Sequence, residues 1–572
     1  MKKVLLIQPP AFYFASTYNI NPNPPLGLCY IAAELLKHGY DVRIVDVLIE
    51  AWNKPRLHDF STYKDLDVRG INGLIGLPDE EVIAIIDEFQ PDIVGVSNLF
   101  TVQRANAHHM CMLAKQSKSK PITVMGGKHP TALPNLVLQD RNVDFVIRGE
   151  GEKSFLQLIR ALEAGASNEE LKKVDGLALR DRGMIFINPK TDFVEDLNEL
   201  AMPARHLLPM ERYFNVGMVH GVEVGRYMSV ITSRGCPAEC TFCSAHESMG
   251  YDFRQRSVEN VLAELDHVAK EYGVNEILFE DDNLTLNPKR AKELFRALKD
   301  RPYKLKWNTP NGIMAQTLDP EVITAMAESG CQHINLAIES GVQRVVDKVI
   351  RKPLKLERVP GLVKQIRDAG MTAGMFLVVG NPGESLEEIR ESFRFLRKVG
   401  PDTFHVAVAM PLPGTELLEI CQKEGHLVEG FNWDFLRIDL FSLHTKDWTT
   451  EELQRAYHQE MLLLRLSVSL HHPKLFISDI TSPRKWLVLV RAVGVIIADA
   501  VKRLIFGRKY AQAPAPAPVP AAAHLTAVAN PASGSVVAHD AQADVEYVHF
   551  DDEHRWRKRA ARKRAAEAEA AS

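Results

Sequence analysis

The sequence predicts an α/β chain in three parts: a doubly wound parallel sheet over residues 1–165, a partial barrel of βα units over 226–445, and a helical region over 446–510. Three observations predict it. Short β-rich runs alternate with amphipathic patterns in the first third, helix-then-strand units recur from 256 to 410, and two helical patterns follow residue 446. With 572 residues, 46% hydrophobic and 25% charged, the chain is too long for one core and ordinary enough in composition to be globular. A formal net charge of −4 gives no global pull toward nucleic acid or an anionic membrane, and no nucleic-acid partner is expected. The opening "MKKVLLIQPPAFYF" has an apolar run too short for a signal peptide and no small-residue cleavage site, which points to the cytoplasm. Seven cysteines, of which three are clustered, do not make a disulfide framework.

In the first third, "KVLLIQ", "VRIVDV", "DIVGVSN", "ITVMGG" and "DFVIRGEGE" read as strands, with "LGLCYIAAELLKHGY", "EEVIAIIDEF" and "NAHHMCMLAKQSK" as helices between them. Ligands of such sheets sit at the carboxyl ends of the strands. Two ends carry small residues, Ser97-Asn98-Leu99 and Gly126-Gly127, leaving a slot where a large ligand can approach backbone; ordinary turns would use the same residues. S-x-L followed by GG resembles the cobalamin-binding domains of methyltransferases and mutases. The resemblance implies a Rossmann-like fold in which Ser97, Leu99, Gly126 and Gly127 line the groove for the nucleotide tail of vitamin B12. In that family the loop after the first strand often carries D-x-H-x-x-G, whose histidine ligates cobalt; here it reads "PPAFYFASTYNINPNPPLG" and holds none. His129, in "GGKHP", is the nearest alternative donor, and a hydrogen-bonded loop residue is its other reading.

Residues 166–225 read as a connector containing a hairpin in "GLALRDRGMIFINP", after which "RYMSVITSRG" runs as a strand into Cys236, Cys240 and Cys243. The spacing C-x₃-C-x₂-C lets three sulfurs converge on one ligand. A structural zinc wants four donors, and His246 could be the fourth. An iron–sulfur cluster held by three cysteines keeps one iron open to substrate or cofactor. C-x₃-C-x₂-C with Phe242 before the last cysteine resembles the defining motif of the radical S-adenosylmethionine (SAM) enzymes. The resemblance implies a [4Fe-4S] cluster on Cys236, Cys240 and Cys243, whose open iron chelates SAM and whose electron cleaves it to a 5′-deoxyadenosyl radical.

Five helix–strand units follow, and a series of this kind builds a TIM-type barrel or part of one, here (β/α)6, with its active site at the C-terminal strand ends. Glu280, Asp281 and Asp282 end the second strand; they can hold the SAM ammonium, or cap the helix that begins at Pro288. Asn308, with Asn311, ends the third. Glu339-Ser340 ends the fourth, and "AIESG" resembles the family's SAM-binding element. "GNPGES", beginning at Gly380, ends the fifth, with glycines that admit an adenine or ribose or that simply turn into a helix. "PLPGTEL" after the sixth strand reads as structural.

"WTTEELQRAYHQEMLLLRLSVSL" is an amphipathic helix expected to pack on the barrel. "SPRKWLVLVRAVGVIIADAVKRLIFGRKY" is too charged to span a membrane, and its basic flanks and Trp486 suit either an interfacial helix or a packed one. Residues 511–572 are Pro/Ala-rich and then basic, and are expected to be a disordered tail. Together, residues 1 to about 445 resemble the cobalamin-binding-domain radical SAM enzymes. That implies a methyltransferase using SAM, a cluster and cobalamin on an unactivated carbon of a small-molecule or lipid-like substrate. It also implies an electron donor such as flavodoxin or ferredoxin, and peripheral contact with the inner face of a membrane is consistent with the helical region. A cobalamin-dependent oxidative cyclase and a non-catalytic corrinoid- or SAM-binding regulator are the rival readings.

Overall fold

In a computed structural model of the chain, the structure describes residues 2–14, 22–52, 71–219, 222–223, 225–432, 436, 440–471, 526–529, 536–539 and 546–548. The strand Lys3–Gln8 lies between Asp41–Asp46 and Ile93–Ser97, and Ile122–Gly126 and Phe145–Ile147 continue the sheet, all parallel. The strands are buried on both faces. Leu5, Ile7, Val94 and Val96 pack with Met110 and Leu113 of the helix Arg104–Gln116, while Val4 and Leu6 pack on the other side with helices Leu26–Lys37 and Gly151–Glu163.

The expected boundary at residue 165 does not divide this sheet. The hairpin Leu177–Asp181 and Met184–Ile187 pairs antiparallel onto Phe145–Ile147, so part of the expected connector is structurally the sheet's continuation. Its two-residue turn, Arg182 at φ +50° and Gly183 at φ +84°, has the left-handed pair that matches strand twist. Within the stretch expected to be a disordered tail, Thr526–Ala529, Val536–His539 and Glu546–Val548 form short strands beyond Met184–Ile187.

The second sheet has six parallel strands in chain order: Tyr227–Val230, Glu276–Phe279, Lys306–Asn308, Cys331–Glu339, Thr372–Val379 and Thr403–Val408. First and last do not pair, so the barrel is open. Five of its helices start on side-chain caps: Ser257, Asn287, Asp319, Ser385 and Thr415 each accept from a backbone N–H of the first turn. Residues pointing outward from the strands meet the helices, as where Trp307 stacks on Phe295 at 4.9 Å and meets Phe279 edge-on at 5.3 Å. The helix Thr450–His471 packs on Leu386–Val399 through Phe393 and Tyr457 and an Arg397–Glu460 pair at 2.6 Å, as its amphipathic pattern predicts. The basic, Trp-edged segment at 484–507 lies outside the described residues. Among those described, no helix is long and apolar enough to cross a membrane.

Candidate active site

Both sheets turn the carboxyl ends of their strands toward one region. At the first sheet, Ser97 pairs with Gly126, and the Asn98 N–H donates to the Gly126 carbonyl at 2.7 Å. Gly127 has φ +119°, and a Cβ there would stand 2.4 Å from the Asn98 carbonyl oxygen, so only glycine lets the two strand ends close up. Leu99 and Phe100 follow, 44% and 63% exposed, an apolar ledge beside the glycine pair. A large ligand with an apolar flank fits this cradle. His129 does not look into it: the ring is 3% exposed, its Nδ1 is 3.2 Å from Thr101 Oγ1, and burial drives its pKa down to about 3.

Across from this edge lies the cysteine loop. Gly235 has φ +83° and approaches the Asp252 carbonyl oxygen so closely that a Cβ would fall 2.2 Å from it, which fixes where the loop begins. Cys236, Cys240 and Cys243 are all free thiols of intermediate exposure, and the Ala245 N–H points at Cys243 Sγ at 3.5 Å. Thr241 anchors the middle of the loop, its N–H and Oγ1–H donating to the Ile350 and Val349 carbonyls at 3.2 and 3.1 Å. Burial pushes the Cys240 thiol up to about 12 against the pull of Lys352. His246 stacks on Tyr251 at 4.7 Å instead of joining the sulfurs, which disfavours zinc. Among the described residues no three His, Cys, Asp or Glu side chains gather as a single-ion site. A cluster takes each thiolate on a different iron, and three soft donors on one half-buried loop fit that group.

The acids of the second barrel strand divide. Asp282 is exposed but crowded by protein, which raises its carboxyl while Lys128 pulls it down. Glu280 is half-buried and accepts from Ser229 Oγ at 3.1 Å. Asp281, expected to face SAM, turns inward: it accepts from the Thr232 N–H at 3.1 Å, Thr232 Oγ1 at 2.8 Å and Ser233 Oγ at 2.5 Å, and so fixes the approach to the cysteine loop. Glu339 adopts φ +64°, a left-handed conformation unusual for a side-chain-bearing residue, at an irregularity ending its strand. Its carboxylate accepts from Lys352 Nζ at 2.6 Å, both side chains being buried. Although burial pulls Lys352 down, Glu339 and then Cys240 hold it above its ordinary value.

Three further expected contacts are engaged elsewhere. Asn308 donates to Glu276 Oε1 at 3.1 Å, toward the start of the neighbouring strand. Ser340 is fully buried against Ser392 Oγ at 3.0 Å, because Gly341 brings this segment against the helix Leu386–Val399. Gly380 donates its N–H to Glu384 Oε2 at 2.9 Å and is covered by Leu453, which a Cβ would meet at 2.7 Å. Sequence reading missed Lys352, Lys128 and Glu384. Only Glu384 had a local signal, an acid closing a Gly-Asn-Pro-Gly turn.

The two edges meet. Beyond Gly127, the short helix Lys128–Ala132 abuts the helix Ala245–Met249 that follows Cys243: a Cβ on Gly414 would lie 2.8 Å from Glu247 Cγ and 3.4 Å from Ala132 Cβ. Lys128 bears electrostatically on both Cys243 and Asp282.

Residues 21–159 match the B12 binding domain family, and residues 230–396 match the Radical SAM superfamily. The chain is 36% identical to the cytidylyl-2-hydroxyethylphosphonate methyltransferase of Streptomyces wedmorensis over 74% of this chain and 82% of that protein. It is 31% identical to an uncharacterized methyltransferase of Pyrococcus horikoshii over 89% of this chain and 99% of that one. An anaerobic magnesium-protoporphyrin IX monomethyl ester cyclase of Rubrivivax gelatinosus is 26% identical, over 76% and 72%. Among solved structures, the radical SAM methyltransferase TsrM of Kitasatospora setae, with cobalamin and a [4Fe-4S] cluster bound, aligns at a TM-score of 0.59 and 16% identity, covering 80% of this chain and 82% of that one. OxsB, with aqua-cobalamin and SAM bound, aligns at 0.62 and 16%, covering 86% and 75%. At that identity the likeness concerns the fold.

Proposed function

Since this chain belongs to the cobalamin-dependent radical SAM enzymes, we propose that it is a methyltransferase acting on an unactivated carbon of a small-molecule substrate. The observation that supports this most is the meeting of the Gly126-Gly127 edge with the cysteine loop, which would bring a cobalamin groove and a cluster site to one mouth. Bound there, SAM on the cluster would supply a 5′-deoxyadenosyl radical and cobalamin a transferable methyl group. The chain's own part is to hold and orient. Cys236, Cys240 and Cys243 would hold three irons of the cluster. Asp282, Glu280 and the Glu339–Lys352 pair would face the amino and carboxylate groups of SAM. Ser97, Leu99, Gly126 and Gly127 would admit the corrinoid's tail. Asp281, Asn308, Ser340 and Gly380 would act one layer behind, through the backbone they fix.

The test is incubation of the reconstituted enzyme, methyl-deuterated SAM and a reductant with small-molecule extract. A product carrying the intact deuterated methyl group supports methyl transfer. The cyclase relative favours a second reading, oxidative ring formation, in which 5′-deoxyadenosine appears and no product carries the label. Absence of 5′-deoxyadenosine would leave the regulator reading. Flavodoxin or ferredoxin is the electron donor we infer in a reducing cytoplasm. A membrane-presented, lipid-like substrate would show as liposome flotation of the chain cut after Tyr510 but not of one cut before Ser482.

A further inference from the structure

The cysteine loop begins at Gly235 and returns at Arg254, and these ends are joined as a short antiparallel ladder, Ser233 opposite Gln255 and Arg234 opposite Arg254. Both arginines reach the first sheet. Arg234 Nη2 donates to Glu152 Oε1 at 2.7 Å and its Nη1 stands 3.2 Å from Glu150 Oε1. Arg254 Nη1 donates to Glu150 Oε2 at 3.1 Å, and its Nη2 stands 2.9 Å from Glu150 Oε1. It also donates to the carbonyls of Val194 and Met249, each at 2.6 Å. Glu150 accepts a further bond from the Val194 N–H at 2.8 Å, and the Arg234 guanidinium lies over the Tyr30 ring at 5.1 Å. Each of the four charged side chains is at most 9% exposed. Charges so deeply buried persist only when paired, and here each carboxylate stands within 3.2 Å of a guanidinium, so the grip is specific in geometry as well as in sign.

Glu150 and Glu152 stand at the start of the helix Gly151–Glu163, just beyond the strand Phe145–Ile147. That strand pairs with the one that ends at Gly126. From there the bonds are continuous. Thr131 Oγ1 donates to the Gly127 carbonyl at 2.7 Å and accepts from the Gly149 N–H at 2.9 Å, and Arg148 Nε donates to the Thr131 carbonyl at 3.0 Å.

We propose that Glu150 and Glu152 are positioning residues of the first domain that clamp both ends of the cysteine loop through Arg234 and Arg254, so that retention of the cluster depends on acids that touch neither it nor its ligands. The proposal rests on the cluster assignment made above. It sits outside both the cysteine motif and the glycine edge, and it makes the first domain part of the cluster's scaffold.

The experiment compares iron release to a chelator from the anaerobically reconstituted, cobalamin-loaded full chain with that from Glu150→Gln, Glu152→Gln and the double variant, well below their unfolding temperatures. Cobalamin affinity and the electron paramagnetic resonance of the reduced cluster are measured on the same samples. The double variant is expected to release iron about tenfold faster, with altered cluster g-values and a circular dichroism spectrum like that of the parent. Release at the parental rate from the folded variant would overturn the clamp. If the double variant does not fold, Arg254→Lys, which keeps the charge but loses the two-pronged contact, decides the matter by the same comparison. Failure of the parent chain to assemble any cluster would instead overturn the reading on which the clamp rests.

Discussion

Gly127 and the three cysteines would serve their proposed roles by opposite means, one through the lack of a side chain and the others through a single atom each. Gly127→Ala would set a Cβ against the Asn98 carbonyl and push two strand ends apart. Its cobalamin affinity is expected to fall about tenfold, ~1.4 kcal/mol, in a spectrophotometric titration, and unchanged affinity in a folded variant would contradict the groove assignment. Cys236→Ala, Cys240→Ala and Cys243→Ala are each expected to abolish the visible cluster absorbance and 5′-deoxyadenosine release, because each would remove one of the three proposed protein ligands. With no histidine between Gln8 and Gly27 and His129 buried beside Thr101, the Co(II) protein should show no axial-nitrogen superhyperfine splitting. If it does, ¹⁵N-histidine labelling identifies an imidazole donor. The cysteines were legible because their spacing is local. Lys352 was not: it reaches Glu339 only after the chain has folded back from its strand, and nothing in "IRKPLK" signals it. Three consecutive acids look alike in sequence, and only the fold shows that Asp281 is buried against Thr232 and Ser233 while Asp282 is exposed.

Among the elements, the barrel helices start on Ser257, Asn287, Asp319, Ser385 and Thr415, residue types that favour caps, and at Pro288 the cap is Asn287 and not the acids 280–282 weighed for it. The turn "GNPGES" was less readable in sequence, because its closure comes from Trp448 and Leu453, far along the chain. Trp448 Nε1 donates to the Glu384 carbonyl at 2.7 Å, and the Glu384 carboxylate faces the Gly380 and Asn381 N–H groups from a fully buried position. Burial raises its pKa to about 7 from the ordinary 4.5. The folded state therefore holds this proton more tightly than the unfolded one. The contribution to stability is full below about pH 4.5 and falls away as pH rises toward 7. Glu384→Gln should flatten that decline, by a few kcal/mol at most, in denaturant titrations run from pH 5 to 8. A parallel pH dependence in parent and variant would show that Glu384 titrates normally.

For the whole molecule, alternation of strand and helix was enough to read two successive α/β units and their order, because periodicity survives without knowledge of partners. Where one unit ended was harder to read. The hairpin Leu177–Asp181 and Met184–Ile187 looks like a linker feature locally, and only its pairing with Phe145–Ile147 makes it part of the first sheet. The facing of the two units was not legible either, since Lys128, Ala132, Glu247 and Gly414 come together from three separate stretches. That facing is the central claim, and electron paramagnetic resonance tests it most directly. In the reduced holoenzyme, cob(II)alamin and the reduced cluster are both paramagnetic, and cofactors sharing one mouth should relax each other. The cobalt signal is predicted to saturate at markedly higher microwave power in the parent than in Cys236→Ala loaded with cobalamin alone. Identical saturation in the two samples would contradict the account.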